Sequence, residues 1–224
     1  MLCCLRVLLP LYRQERIDSN EGSVMNREKE VSGHWFLNLI TLFSPDPERT
    51  AVTGTPERMI AQAGREAFAV SSAAGLVPGP LGLAVIVPEL ASVTRIQLRL
   101  VHMIARYYGL SSRLDSSILL LIFGEALGLA LSKSLARRVG GRLVVRALET
   151  QVARTVAQKI GARIVTSAIQ KGVARFIPLI AAPLLGAFSR SMTIRIGRQA
   201  DKLFSQGIVM ENHSGAGPGV DQPG

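Results

Sequence analysis

Two groups of basic side chains recur at helical spacing in this sequence, and the chemistry they suit is anion binding. The first group, here called the first basic ridge, comprises Arg95, Arg99, His102 and Arg106. At 100° per residue these four side chains fall within about 60° of one another on a helical wheel. The second basic ridge repeats at i, i+3 and i+7 and comprises Arg195, Arg198 and Lys202. Such ridges either contact lipid phosphates or form ordinary solvated helix faces.

Two polar residues occur on the helix that carries the first basic ridge. One lies on its otherwise apolar side, and the other lies at its start. Gln97 falls at the centre of the apolar side, where a buried amide needs hydrogen-bond partners. Glu89 stands in the first turn, where a carboxylate interacts favourably with the helix dipole. The pattern predicts that Glu89 stabilises the helix start and that Gln97 ties two helices together through a backbone bond. Ligand binding by this polar motif is the alternative.

The net charge of +10 is concentrated in one part of the chain. Residues 1–132 carry 12 basic and 12 acidic side chains, so their net charge is zero. Residues 133–202 carry 14 basic and 2 acidic side chains, a net charge of +12, and residues 203–224 contribute −2. This asymmetry predicts an anionic partner for the C-terminal half, and anionic lipid and nucleic acid are both candidates.

The residue types argue against several other chemistries. Aromatic side chains between 133 and 202 are limited to Phe176 and Phe188, too few for base stacking, so nucleic acid is a disfavoured partner. The two cysteines, Cys3 and Cys4, are adjacent, which excludes a disulfide framework, a zinc ribbon and a thiolate-bound iron–sulfur cluster. Motifs of serine hydrolases, zinc proteases, P-loops and dinucleotide-binding folds are absent. We therefore predict no catalytic residues, no metal site and no cofactor, and a protein that is not an enzyme.

The elements that position these side chains are predicted to be helices. Thr55-Pro56-Glu57 is a strong helix start, Gly109 a helix stop and Asp115 an N-cap. The predicted helices cover residues 55–74, 88–108, 116–139, 142–176 and 189–204. A GxxxG pattern at Gly124 and Gly128 falls within the third helix and is typical of close helix packing. Because no strand-like alternation is visible, the predicted fold class is all-α, a single helical bundle.

Apolar segments are frequent, but each is too short or too interrupted to cross a bilayer. Residues 67–88 lack charge but contain several prolines and glycines, which argue against a straight spanning helix. The uncharged run 176–189 would reach about 21 Å as a helix, short of a hydrocarbon core of about 30 Å. We predict that apolar turns at 75–88 and 176–188 insert partly into the membrane or pack inside the domain. An aromatic stretch at 34–43 either lies at a membrane interface or folds back as a hydrophobic strap.

Two separated motifs resemble the EcsC family. The first motif, residues 79–109, has a Pro/Gly turn, an acid-containing helix start, a QLR centre and an IA-x-x-YG end. The second, residues 174–200, has an Ile-Pro turn and a late R-x-G-R-x-A. Related helical domains found beside some GTPases and in inner-membrane proteins share much of this pattern. The resemblance spans roughly residues 55–205, and Glu89 departs from it because aspartate is more usual there.

The resemblance implies a bacterial, membrane-associated helical protein without an established activity, named after a gene beside an ABC transporter. The predicted organisation is a largely disordered leader at 1–54, a helical domain at 55–206 and a disordered tail at 207–224. We predict that the domain docks on the cytoplasmic membrane, peripherally or partly inserted, through its basic amphipathic helices, as an accessory to a transporter and in monomeric or oligomeric form. The alternatives are a soluble helical module that binds a transporter or GTPase and, less favoured, an unrecognised enzyme.

Overall fold

A computed structural model gives a helical domain that carries one small sheet. The structure describes residues 52, 54–77, 85–131, 136–139, 142–146, 148, 150–172 and 178–211. Helices account for 81% of this part, which confirms the predicted helical fold class. The aromatic stretch 34–43, most of the leader, the turn residues 78–84 and the tail 212–224 lie outside the described residues.

The described elements follow the chain in a simple order. They are α1 (Pro56–Gly75), α2 (Ile86–Tyr107), a 3₁₀-helix (Ser111–Arg113), α3 (Ser116–Ala126), β1 (Ala136–Val139), β2 (Arg142–Arg146), α4 (Thr150–Gly172), α5 (Pro178–Ser205) and β3 (Ile208–Glu211). Helices α1, α2 and α5 pack on one another, while α3 packs on α4 and α5.

Local capping signals account for the predicted helix starts. Helix α1 begins with proline at its first position, after Thr55 in extended conformation. The Thr55 hydroxyl does not cap the helix, since it hydrogen-bonds the Glu57 carboxylate. A backbone hydrogen bond and this hydroxyl lower the pKa of Glu57. Asp115 caps α3 as predicted, because its carboxylate accepts a hydrogen bond from the Ile118 backbone N–H at 2.9 Å.

Glycines in the left-handed conformation end α2 and α3. Gly109 has φ +68°, and the neighbouring N–H of Leu110 bonds back to the carbonyl of Ala105, which confirms the predicted stop. Gly128 has φ +76° and closes α3 in the same way, so the predicted helix 116–139 is wrong beyond Ala126. Because Gly128 lies outside the helix, the GxxxG pattern does not form a helix-packing face.

Three strands form a small sheet that the sequence interpretation missed. Strands β1 and β2 pair antiparallel with Val139 opposite Arg142, which leaves a Gly-Gly dipeptide between them. The predicted helix 142–176 is therefore wrong over its first residues, and α4 begins only at Thr150. Strand β3 pairs in parallel with β2, so the prediction of a disordered tail from 207 is wrong for residues 208–211. The Leu148 N–H donates to Ser117 Oγ at 3.1 Å and holds the end of the hairpin on α3.

Helices α1 and α5 pack antiparallel along buried small residues, here called the small-residue seam. Its members are Gly64, Ala67, Ser71, Gly75, Ala182, Gly186, Ser189, Thr193 and Gly197. A Cβ atom added at Gly75 would lie 2.7 Å from the backbone Cα of Ala182. Ser71 Oγ donates to Ser189 Oγ at 2.6 Å inside the seam. Small residues at this spacing let two helix backbones approach closely.

Helix α5 is the central element because its buried side chains join the seam to the main core. Ile196, Ala200, Leu203 and Phe204 of α5 belong to one apolar cluster with the buried residues of α2 and α3. At the end of α2, Tyr108 Oη donates to Asp201 Oδ1 of α5 at 2.8 Å. Desolvation and the Asp201 carboxylate raise the pKa of Tyr108 to about 12, so the phenol keeps the proton that it donates in this hydrogen bond even at moderately alkaline pH.

Candidate functional site

The second basic ridge lies fully on the exposed side of α5. Arg195, Arg198 and Lys202 are all exposed, which contact with an anionic partner would require. Leu184 and Phe188, earlier on the same helix, are 57% and 39% exposed. At 100° per residue the five side chains fall within about 80° of one another. They form a single surface, here called the exposed stripe.

The exposed stripe is divided along its length into an apolar part and a basic part. It extends about 27 Å from Leu184 to Lys202 at 1.5 Å per residue. The apolar pair comes first, and the three cations follow after Ser191. An amphipathic helix that lies on a membrane typically presents Phe and Leu beside Lys and Arg in this way.

A basic concavity lies where the stripe meets the C-terminal end of α3. It is an open depression of about 800 Å³, lined by Glu125, Ala126, Leu127, Gly128, Arg195, Arg198, Gln199 and Lys202. Three cations thus face one carboxylate and the carbonyl end of α3, where positive charge is favourable. This arrangement leaves a net positive surface facing solvent.

An apolar cleft opens next to the basic concavity. About 720 Å³ of empty space lies among its lining residues, a figure that includes the solvent at the open mouth. Its lining comprises Ile86, Glu89, Leu90, Val93, Thr94, Gln97, Phe123, Leu127, Ile164, Leu185, Phe188, Ser189, Met192 and Ile196. Leu127 lines both depressions, so the cleft and the concavity adjoin at this side chain.

The predicted polar motif lies in the apolar cleft. Gln97 is buried, and its Nε2 donates to Thr193 Oγ1 of α5 at 3.2 Å. Gln97 therefore ties two helices together, as predicted, but through a side-chain hydroxyl rather than a backbone group. Glu89 is partly buried in the first turn of α2 and also lines the cleft. The two residues are thus brought to one site, which the sequence alone left open.

The first basic ridge is only partly exposed. Arg95, Arg99 and Arg106 are exposed, but His102 is only 7% exposed, so its assignment to a basic surface is wrong. His102 follows Leu98 by four residues and lies about 40° from that fully buried side chain, within the packed side of α2. Burial lowers the pKa of His102 and favours its neutral form.

Arg99 of the first basic ridge forms an ion pair that joins two helices. Its guanidinium contacts the carboxylate of Glu66 on α1, and Gln62 Nε2 donates to the same carboxylate at 3.2 Å. Because both charged groups are partly exposed, the pair contributes at most about 1 kcal/mol. None of the three arginines of this ridge is among the described residues that line the basic concavity. The two ridges therefore do not converge on one site.

The burial of His102 predicts a dependence of stability on pH. The pKa of His102 is lowered in the folded protein, whereas the unfolded chain has the ordinary value of 6.5. The unfolded chain therefore binds the proton first as pH falls, so stability is full above pH 6.5 and is lost below it. The slope should not exceed about 1.4 kcal/mol per pH unit.

Denaturant midpoints measured between about pH 5.5 and 8 test this prediction, because carboxylates titrate mostly below that window. We expect His102→Gln to flatten the slope. An equal slope in the variant and the unmodified protein would assign the pH dependence to other groups.

Two apolar members of the exposed stripe lie in the segment 176–188, and the prediction of an apolar turn there is wrong over residues 178–188 because they belong to α5. Prolines 178 and 183 suggested that no helix continues through this segment, so the last helix was predicted to begin only at Ser189. Helix α5 instead begins at Pro178 and continues through Pro183. Phe188, Arg195 and Lys202 follow Leu184 at i+4, i+11 and i+18. This spacing places the four side chains on one helix face, but it can be recognised only if the helix is taken to be continuous from Leu184.

Neither a metal-ligand cluster nor a membrane-spanning helix occurs among the described residues. There, no group of three or more His, Cys, Asp or Glu side chains is placed to hold a metal ion. None of the helices in this part of the chain combines the length and apolar character needed to cross a membrane. The chain matches no family model, no curated protein and no solved structure.

Proposed function

We propose that this protein is a non-catalytic helical module that docks peripherally on an anionic membrane surface through the exposed stripe of α5. The observation that carries the proposal is the alignment of two exposed apolar side chains with three exposed cations on one helix face. Docking of this kind needs no spanning segment. It also accounts for the concentration of positive charge in residues 133–202.

The two parts of the stripe make different contributions to membrane affinity. Each cation near an anionic surface contributes about 1 kcal/mol, and this contribution is screened by salt. Leu184 and Phe188 gain by leaving water, at about 25 cal/mol per Å² of apolar surface buried. Neither part alone holds a protein firmly on a bilayer, but together they give reversible binding at physiological ionic strength.

The resemblance to the EcsC family supports the same function and adds a setting. It favours a bacterial protein at the cytoplasmic face of the membrane, where anionic lipids are exposed. Within that setting we propose a role as an accessory to a membrane protein such as a transporter. No catalytic step is assigned.

A second candidate function is supported by the first basic ridge. Arg95 and Arg106 are exposed on α2 and do not line the basic concavity. A separate basic face of this kind suits an acidic surface on a partner protein, as in a soluble module that binds a transporter or a GTPase. This alternative predicts a stable protein complex whose formation is unaffected by lipid.

Vesicle sedimentation of the full chain tests membrane docking. We expect binding to phosphatidylglycerol vesicles at about 50 mM salt, little binding to phosphatidylcholine vesicles, and release at about 0.5 M salt. Leu184→Ser should weaken binding about fivefold, because roughly 1 kcal/mol of apolar transfer is lost.

Val152→Ser is the matched control, since Val152 is 43% exposed on α4 and lies outside the stripe. Its vesicle affinity should equal that of the unmodified chain. Failure of the unmodified chain to bind phosphatidylglycerol vesicles at low salt would reject membrane docking and favour the protein-partner alternative.

A further inference from the structure

The apolar cleft and the basic concavity together have the composition of a site for one amphiphilic molecule. Ten of the fourteen residues that line the cleft are apolar, and the polar ones are Glu89, Thr94, Gln97 and Ser189. Gln97 is hydrogen-bonded to Thr193, and Ser189 to Ser71. The concavity carries three cations and one carboxylate. Leu127 belongs to both linings, so the two depressions adjoin at this side chain.

Helix α5 sets the size of the ligand that fits. The residues of α5 that line the cleft run from Leu185 to Ile196, about 16 Å along the helix axis. The cations that line the concavity begin at Arg195 and continue toward the C-terminal end of the same helix. A single extended alkyl chain followed by a compact anionic group matches this order.

We infer that the cleft binds the alkyl chain of a lipid with a phosphate head group and that the basic concavity binds its phosphate. Charge complementarity selects an anion, and the two guanidinium groups, Arg195 and Arg198, suit phosphate oxygens because of their planar donor geometry. The inference rests on the proposed membrane function, since the same cations serve both. To surface docking, the inference adds the binding of a single lipid molecule that has left the bilayer.

An apolar part of the chain itself is the competing occupant. Residues 34–43 include the one tryptophan and several large apolar side chains, and they lie outside the described part of the chain. Such a segment would occupy the cleft without using the cations of the concavity. It predicts that an added alkyl phosphate does not bind to the full chain.

Calorimetric titration of the full chain with dodecyl phosphate, below its micelle concentration, tests the inference. We expect saturable binding of one molecule and no comparable binding of ethyl phosphate or of dodecyltrimethylammonium. Octyl phosphate should bind at least tenfold more weakly, because each buried methylene contributes roughly a fourfold factor. Absence of binding, or equal affinity for the cationic amphiphile, would overturn the proposal.

Two substitutions on α2 distinguish an effect on the cleft from a general effect of placing a tryptophan on this helix. Leu90 is partly buried and lines the cleft, so Leu90→Trp should fill it and weaken dodecyl phosphate binding at least tenfold. Val87 is 39% exposed on the same helix and does not line the cleft, so Val87→Trp should bind normally. Undiminished binding by a folded Leu90→Trp protein would overturn the proposal.

Methyl NMR of the unmodified protein keeps the proposal testable if Leu90→Trp does not fold. The Met192 methyl group lines the cleft, whereas Met59 is buried elsewhere in the core. Dodecyl phosphate should shift the Met192 resonance and leave that of Met59 in place. Saturable binding without a shift at Met192 would assign the ligand to another site and overturn the proposal.

The two proposals can fail separately. Leu184 belongs to the exposed stripe but does not line the cleft, so Leu184→Ser should reduce vesicle binding and retain dodecyl phosphate binding. Leu90→Trp should show the reverse pattern. Vesicle binding without dodecyl phosphate binding would reject only the lipid cleft, and the converse would reject only surface docking.

Discussion

Replacement of Gly197 by leucine is expected to destabilise the domain by about 3 kcal/mol or more, enough to unfold a marginally stable protein. A Cβ atom at this position would lie 2.6 Å from Ile60 Cγ1 and 2.9 Å from Leu100 Cδ2. Gly197 therefore lies where α1, α2 and α5 come together, and a larger side chain there would have to displace the side chains of Ile60 and Leu100. A leucine there would force the three helices apart.

An exposed position on the same helix supplies the control. Ala187 is exposed on α5, so Ala187→Leu adds similar bulk without contacting the seam and should change stability by no more than about 0.5 kcal/mol. Urea unfolding followed by circular dichroism would measure both variants. Equal stability of Gly197→Leu and the unmodified protein would mean that the seam is looser than the packing described above.

The same close packing explains how α5 can contribute residues to the seam, the cleft and the exposed stripe at the same time. Its seam side is fixed by Gly186 and Gly197 against α1, which leaves the remaining circumference for the cleft and the exposed stripe. A helix held both by close backbone approach and by side chains buried in the core presents its other faces rigidly. Rigid presentation favours binding because less conformational freedom is lost on association.

Short-range signals were sufficient to predict the first half of the fold. Proline after Thr55, the Asp115 carboxylate and Gly109 each act on backbone groups within a few residues, so the bounds of α1 and α2 followed closely. The exposed second basic ridge was also predictable, since its spacing of three and four residues is local.

The sheet could not be predicted in the same way. A Gly-Gly dipeptide at 140–141 is compatible with both a helix end and a two-residue hairpin, and the pattern alone did not decide between them. The parallel pairing of β2 with β3 joins residues separated by α4 and α5, for which no local signal exists. Long-range pairing of this kind depends on how the helices pack.

Which residues of the candidate site are exposed depends on the elements that pack against each helix face. A helical wheel placed His102 among the cations, but the packed side of α2 is wide enough to bury it. The wheel likewise omitted Leu184 and Phe188, because the helix was predicted to start after them. The seam glycines were not singled out, since their partners lie on a helix more than a hundred residues away.

Removal of the second basic ridge is expected to have the other large effect. The triple variant Arg195→Ala, Arg198→Ala and Lys202→Ala should bind phosphatidylglycerol vesicles roughly a hundredfold more weakly, because three contributions of about 1 kcal/mol are lost. Its residual binding should depend less on salt than that of the unmodified chain, since three screened contributions are lost. Its helix content should be unchanged, because all three side chains are exposed.

A second triple variant separates position from total charge. Arg58, Arg65 and Arg154 are exposed on α1 and α4, outside the stripe and the concavity. Their replacement by alanine lowers the net charge by the same amount, and long-range attraction to the vesicle falls equally. Any larger effect of the α5 variant therefore belongs to contacts made by the stripe itself.

The affinity of the full chain for phosphatidylglycerol vesicles, compared between these two triple variants, tests the central claim most directly. The stripe on α5 predicts roughly a hundredfold loss for the α5 variant and less than about fivefold for the control. Equal losses in the two variants would reduce the interaction to net charge. Unchanged binding by the α5 variant would contradict membrane docking through this helix.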